Sequence, residues 1–241
     1  MNLILLNEAD LTPENRVSLT DRRHQHISSV IKPKPGDHLR TGLLGGKIGL
    51  AEVIECSSSR TTLAIQNFDR KPPKPLDAQL FIGLPRPKNI ARMLQALTTM
   101  GIKQIHFFHC YQVEKSFWQS DLLNQERLKL QMILGLEQAV DTILPELHFH
   151  RYFRPFVEDH LPKLATSKTQ IVLHPYSEAS LKSADLNNSC DFVIGPEGGL
   201  IEYEVELLKA AGFEAYTLGN RIYKTEQALS MIPSLLTWTQ L

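Results

Sequence analysis

Two stretches, 169–174 and 190–194, are apolar over most of their length, and each runs straight into a turn-forming residue: His174 precedes Pro175, and Ile194 precedes Gly195-Pro196. Strands of that kind are covered on both faces, which happens in parallel sheets sandwiched between helices. Parallel neighbours need long crossovers, and the chain supplies them. From residue 76 onward strand and helix patterns alternate, with strands expected over 78–84, 104–109 and 215–218 and helices over 89–100, 122–143, 202–211 and 226–237. The first of these helices places Ile90, Met93, Leu94 and Leu97 on one face and stops at Gly101. The helix over 202–211 stops at Gly212, a usual C-terminal arrangement. The pattern is that of an α/β domain built on a largely parallel sheet.

The first 70 residues read differently. Short β-tolerant runs, 39–44, 47–56 and 61–68, are separated by Gly45-Gly46 and by three serines at 57–59. Pro33, Pro35, Gly36 and Asp37 mark another turn, and 20–30 reads as a short helix with His24 and Ile27 at helical spacing. Short strands with tight turns suggest a small barrel or curled sheet. Between the two regions lies Arg-Lys-Pro-Pro-Lys-Pro at 70–75, which neither a helix nor an inner strand accommodates. We therefore expect an α/β protein with two domains, 1–71 and 72–241.

Composition serves mainly to exclude. The formal net charge is zero and the pI is near 7.1. The bases are concentrated in the first half, whereas the segment from Asp185 to Lys209 is acidic. A polyanion would thus be met by the first half. No run approaches the roughly 20 apolar residues of a membrane span, and the N-terminus lacks the basic lead of a signal peptide, so a cytoplasmic protein is expected. Three widely spaced cysteines define neither a disulfide framework nor a zinc site. His106, His109, Cys110, His148 and His150 lack the compact spacing of metal ligands, and no metal is expected.

The residues that could carry chemistry gather at strand ends. Gly195-Pro196-Glu197-Gly198-Gly199 follows a buried strand and precedes a helix, where open α/β sheets bind ligands. A tight turn without a ligand is the plain alternative. The pattern matches neither the dinucleotide nor the triphosphate fingerprint. Leu218-Gly219-Asn220-Arg221-Ile222-Tyr223-Lys224-Thr225-Glu226 follows the next strand. Here Thr225 could cap a helix, and Arg221 could either hold an anion or pair internally with Glu197 or Glu226. Leu173-His174-Pro175 forms a third strand end, where His174 is equally a candidate acid or base and a structural histidine. In the basic N-terminal stretch, Arg22, Arg23, Lys32 and Lys34 are candidates for phosphate contact. With Phe68 its only aromatic residue, that stretch offers little for base stacking.

The peptides Ile-Gly-Pro-Glu-Gly-Gly at 194–199, Ala-Gly-Phe at 211–213 and Leu-Gly-Asn-Arg-Ile-Tyr-Lys-Thr-Glu-Gln-Ala at 218–228 resemble the signature of the bacterial 16S rRNA (uridine-N3) methyltransferases of the α/β-knot (SPOUT) superfamily. The resemblance covers nearly the whole chain. It departs at Tyr223, Lys224 and Gln227, at Ala96 and Thr99 where a lysine and a glutamate are usual, and at Asp141 where an arginine is usual. Glu137-Gln138 and Glu114 are kept.

The resemblance implies a trefoil-knotted α/β domain over 72–241 and a PUA-like, RNA-binding β-barrel over 1–71. It further implies a homodimer and S-adenosyl-L-methionine held by three loops: Leu173, His174 and Pro175; Ile194, Gly195, Pro196, Glu197, Gly198 and Gly199; and Leu218, Gly219, Asn220, Arg221, Ile222 and Tyr223. The expected reaction is methylation of uridine N3 in 16S rRNA of the small ribosomal subunit. Arg221, Glu197 and Glu226 are the expected catalytic residues, and Arg22, Arg23, Lys32, Lys34 and Lys224 the expected RNA contacts. A dimer face is also suggested by the final helix, where Met231, Ile232, Leu235, Leu236 and Trp238 are apolar over much of the circumference. The alternative is a divergent member that binds the cofactor but modifies another RNA or none.

Overall fold

The computed structural model describes residues 1–240. The chain divides into two compact units: Met1–Lys74 together with Met132–Leu144, and Pro75–Gln131 together with the chain from Pro145 onward.

The first unit is built on a five-stranded mixed sheet. Its strands are β1 (Ile4–Leu6), β2 (Arg16–Leu19), β3 (His38–Leu43), β4 (Ile48–Cys56) and β5 (Thr61–Arg70), in the order β1-β3-β4-β5-β2. β1 pairs parallel with β3, and the other pairings are antiparallel. Sequence pattern alone reveals β3 to β5 but not β1 or β2. β1 is only three residues long and apolar throughout, because both its faces are covered. Ile4 and Leu6 join Val17, Leu19, Val53 and Leu63 in one core. Leu3 and Leu5 pack on the other side with Ile48 and Leu136. Helix α1 (Arg22–His26) continues into a π-helical turn, Ile27–Ile31, which ends at Lys32 in the left-handed region at φ 52°.

The second unit holds a six-stranded, wholly parallel sheet: β6 (Ala78–Gly83), β7 (Gln104–Phe108), β8 (Glu146–His150), β9 (Thr169–Leu173), β10 (Cys190–Ile194) and β11 (Glu214–Tyr216), in the order β11-β9-β10-β6-β7-β8. The helices are α2 (Pro87–Thr99), α3 (Gln125–Ala139), α4 (Phe153–Pro155), α5 (Leu161–Leu164), α6 (Glu202–Ala210) and α7 (Thr225–Gln240). α3 begins in this unit, and its last residues, from Met132, belong to the first. It is shorter than the expected 122–143: a 3-10 turn at Asp121–Leu123 precedes it, and Val140 leaves the helical region at φ 59°. Asp141 is buried and caps the chain after the helix, accepting from the backbone N–H groups of Thr142 and Ile143.

Every residue of β10 is buried, as its composition demands. The one carboxylate there, Asp191, accepts from the Ser167 hydroxyl at 2.8 Å and backbone N–H at 2.9 Å, and burial pushes its pKa up. Fully burying a side chain such as Phe81, Phe107 or Phe192 contributes about 1.5–3 kcal/mol. Among the described residues no helix is long and apolar enough to cross a membrane.

Candidate functional site

In an open parallel sheet, ligands bind beyond the carboxyl ends of the strands, where neighbouring strands send their connections in opposite directions. Here that point lies between β10 and β6: β10 is followed by β11 on one side of the sheet, and β6 by β7 on the other. The loops leaving those two strands interlock. Gly83, the last residue of β6, is so close to Pro196 that an added Cβ would lie 2.4 Å from its Cδ. The Glu197 carboxylate accepts from the backbone N–H of Arg86, at 3.2 Å to each oxygen, and from the Asn89 side-chain amide at 2.8 Å. A loop of the cofactor-site type is thereby tied to the first turn of α2, whose exposed N–H groups favour a carboxylate.

Three loops wall a cavity of about 280 Å³: Leu173 to Tyr176, Ile194 to Leu200, and the segment after β11 that contributes Leu218, Arg221, Ile222 and Tyr223. Gly195 cannot carry a side chain, since a Cβ there would sit 2.9 Å from the backbone of Gly199 and Leu200. Gly199 turns the chain at φ 77°, and its N–H donates to the Pro196 carbonyl at 2.9 Å. The third loop is pinned by Thr217, whose hydroxyl donates to the Gly219 carbonyl at 3.0 Å and accepts from its N–H at 3.2 Å. Gly219 (φ 122°) and the exposed Asn220 shape this turn without lining the cavity.

Thr225 does not cap α7. Its buried hydroxyl donates to the Gly195 carbonyl at 3.2 Å, joining the start of α7 to the glycine loop. The cap is instead Gln227, whose side-chain oxygen accepts from the Lys224 N–H at 3.0 Å. The departure at Gln227 thus has a local structural reason.

Arg221 is exposed, lines the cavity, and forms no ion pair among the described residues. The internal pairing with Glu197 or Glu226 considered for it is absent. Glu197 shares the cavity, but its oxygens face α2. Glu226 lies elsewhere: with Asn89, Arg92, Met93 and Ala96 it lines a mostly apolar groove of about 400 Å³ between α2 and α7, and its Oε2 is buried there without a hydrogen-bond partner. Asn89 contributes to this groove and also holds Glu197. His174 is half-buried, its ring edge-on to Tyr176 at 5.5 Å; burial and then the nearby Lys209 lower its pKa.

The basic N-terminal candidates separate into two groups. Arg23 is 8 % exposed, and its guanidinium is used up by Asp10, Asp21 and the Leu5 carbonyl at 2.7–3.1 Å. Those hydrogen bonds hold the Asp10 carboxyl below the usual range. Arg22 forms a two-pronged pair with the buried Glu137 at 2.7 and 2.9 Å. Arg23 is thus an internal structural cation, against the expectation that it meets RNA phosphate, whereas Arg22, although paired with Glu137, keeps 34 % of its side chain in solvent. The signal available in sequence was the acid two residues from Arg23. Lys32, Lys34 and Lys224 are exposed.

A parallel sheet with a glycine-walled pocket at its switch point, carrying one cation and apolar shelves from Leu173, Ile194, Leu218 and Ala228, defines a cofactor-binding α/β domain. A single arginine is too little for a polyphosphate, so the pocket suits a nucleoside-like ligand with few charges. The chain belongs to the RNA methyltransferase family, whose domain matches residues 72–237. It is similar to the ribosomal RNA small subunit methyltransferase E of Treponema pallidum, at 30 % identity over 232 residues, covering 95 % of this chain and 87 % of the relative. It is also similar to ribosomal RNA small subunit methyltransferase E 1 of Borreliella burgdorferi, at 25 % over 247 residues, covering 100 % and 99 %. The fold is that of a crystal structure of ribosomal RNA small subunit methyltransferase E from Neisseria gonorrhoeae bound to S-adenosyl methionine: TM-score 0.75, 20 % identity, 100 % of this chain and 98 % of that one.

Proposed function

We propose that this protein methylates N3 of a uridine in 16S rRNA of the small ribosomal subunit, in the cytoplasm, with S-adenosyl-L-methionine as methyl donor. The observation that carries the reading is the unpaired Arg221 beside the glycine-walled pocket of an RNA methyltransferase domain. The relatives' names supply the ribosomal substrate. The cofactor, when bound, supplies a methyl group already activated on a sulfonium.

The protein's own work is alignment and charge stabilisation. The N–H groups and tight turns of 195–199 and 217–223 offer backbone contacts to an adenosine. Uracil N3 must lose its proton before its lone pair can attack, and negative charge then spreads onto the flanking carbonyl oxygens. Arg221, free of carboxylates and carrying a planar donor fork, is the group to meet that charge. Glu197 holds the pocket loop in register with α2, and so acts as a positioning residue. Glu226 is the carboxylate left to accept the N3 proton, with one oxygen unpartnered; it lines the α2–α7 groove and not the cavity, so this role requires the uracil to reach that groove. Lys224, Lys32 and Lys34 hold RNA phosphates.

The same reading assigns 1–71 to a PUA-like RNA-binding barrel and 72–241 to a trefoil-knotted methyltransferase domain acting as a homodimer. The dimer is supported by the apolar groove between α2 and α7, and by Leu235 and Trp238, which are exposed on α7 while Ile232 and Leu236 face inward.

The test uses small ribosomal subunits from cells lacking the gene, incubated with methyl-labelled cofactor and purified protein, then digested to nucleosides for mass spectrometry. The expected product is N3-methyluridine, reduced at least 100-fold by Arg221→Ala, as for loss of a charge-stabilising donor. Label in another nucleoside would overturn the substrate, and no label in any RNA would overturn the reaction.

A further inference from the structure

The six tyrosines are not scattered. Tyr111 follows β7, Tyr152 follows β8, Tyr176 follows β9, Tyr203 lies in the first turn of α6 after β10, and Tyr223 follows β11; only Tyr216 lies within a strand. Because the sheet is wholly parallel, all five loops open on one edge. Four of the rings project into solvent there: Tyr111 is 75 % exposed, Tyr152 72 %, Tyr176 77 % and Tyr203 56 %. Tyrosine is intermediate in burial, and a row of exposed rings along the edge that carries the cofactor-site loops marks an interaction surface.

The β7–β8 end of this edge is prepared for one. Trp118 is held by a hydrogen bond from its indole N–H to His109 Nδ1 at 3.0 Å, and the Arg151 guanidinium lies over its ring, 5.5 Å from the centroid. The Tyr111 loop is fixed from beneath: Glu204, 2 % exposed, accepts from the Tyr111 backbone N–H at 2.7 Å. Gln112 packs against Gly198 of the pocket loop, so the platform continues into the cofactor-site wall. Lys115 and Arg151 form no ion pair among the described residues, while Arg154 is held by Glu158.

Flat aromatic faces interleaved with cations that have no carboxylate partner are what an unpaired polynucleotide strand requires: every base has a face to stack, and every linkage carries a charge. A duplex hides its base faces and would use only the cations.

We propose that this edge is a stacking platform for single-stranded RNA flanking the target nucleotide, with bases resting on Tyr111 and Tyr152 and phosphates held by Lys115 and Arg151. The proposal rests on the RNA methyltransferase reading above. It places base stacking in the second unit, in keeping with the first, where Phe68 is the only aromatic residue up to residue 70.

The experiment measures binding of a fluorescein-labelled single strand of about 12 nucleotides, and of a duplex of equal length, by anisotropy. The single strand is expected to bind more tightly. Tyr111→Ala and Tyr152→Ala each weaken it about tenfold, Tyr152→Phe restores affinity, and Arg151→Ala lowers the salt slope by about one unit. Calorimetric titration with S-adenosylmethionine, unchanged in all four variants, shows that the fold and cofactor site persist. Unchanged RNA affinity in the Tyr111→Ala/Tyr152→Ala double variant overturns the platform, as does preference for the duplex or failure to bind either RNA. Loss of single-strand affinity in the alanine variants, in a protein that methylates no RNA, supports the platform and removes the methylation reading.

Discussion

Asn89 on α2 donates its side-chain amide to the Glu197 carboxylate of the pocket loop at 2.8 Å. One wall of the cavity is thus positioned by a helix that contributes nothing to the cavity's lining. Replacing either residue by alanine should loosen the loop and raise the cofactor Kd roughly tenfold, the scale of one charge-assisted hydrogen bond. Calorimetry on both single variants and the double variant checks this. Because the two act as a pair, the double variant should be little worse than either single one.

Gly83 gives a sharper test of the interlocked loops. A methyl group there would meet the Pro196 ring and nitrogen at 2.4 and 2.7 Å. Gly83→Ala is therefore expected to push Pro196 toward the cavity and weaken cofactor binding more than tenfold, while far-ultraviolet circular dichroism stays native. Wild-type affinity in this variant would mean that the two loops move together freely.

Arg22 is expected to behave as a structural residue. Arg22→Ala leaves the Glu137 carboxylate, 1 % exposed, without its partner. The cost is about 2–3 kcal/mol, somewhat below that of a fully buried pair because Arg22 keeps 34 % of its side chain in solvent. Urea unfolding should show this loss, and the salt slope of RNA binding should not change. A slope lowered by one unit would instead return Arg22 to the phosphate contacts.

Acid sensitivity should come first from the histidines of β7 and β8. His106 is 1 % exposed and stacked between Phe81 and His148, its Nδ1 3.2 Å from His150 Nε2. Burial, then the neighbouring histidines, pushes its pKa down to about 3; burial, then His160 and His148, lowers that of His150 to about 4. In the unfolded chain both titrate near 6.5. Below that pH the unfolded state takes up protons that the folded state refuses, so stability is full above about 6.5 and falls toward 4. The slope reaches about 1.4 kcal/mol per pH unit for each such histidine. Thermal melts between pH 7.5 and 5 should show Tm falling, and His106→Phe should flatten the fall.

How much of this was readable in sequence depends on which interactions were local. The buried strands β9 and β10, with Pro175 after the first and Gly195-Pro196 after the second, announce themselves through apolar runs and turn residues, so the alternating sheet and the pocket loops could be placed. β1 could not. Three apolar residues covered on both faces show no alternation, and one of the covers, Leu136, lies 130 residues away. The helical stretch from Phe153 to Leu164 was missed because Pro155 and Pro162 fall inside it. Gly83, Arg86 and Asn89 carry no motif, and their importance appears only when β6 is set beside β10. Asp21 beside Arg23 was the one local signal; that Asp10 and Glu137 also pair with Arg23 and Arg22 appears only in the fold, since charge counts do not reveal which acids a fold brings alongside.

The discontinuity of the first unit has a consequence for biosynthesis. A ribosome that has released the first 74 residues has made every strand of the mixed sheet, yet not the segment from Met132 to Leu144. Leu3, Leu5 and Ile48 then lack Leu136, and Arg22 lacks Glu137. The unit cannot mature in order of translation. It must wait through 57 further residues for its closing segment, and a gene fragment ending at residue 74 would yield an open-faced sheet prone to capture by chaperones.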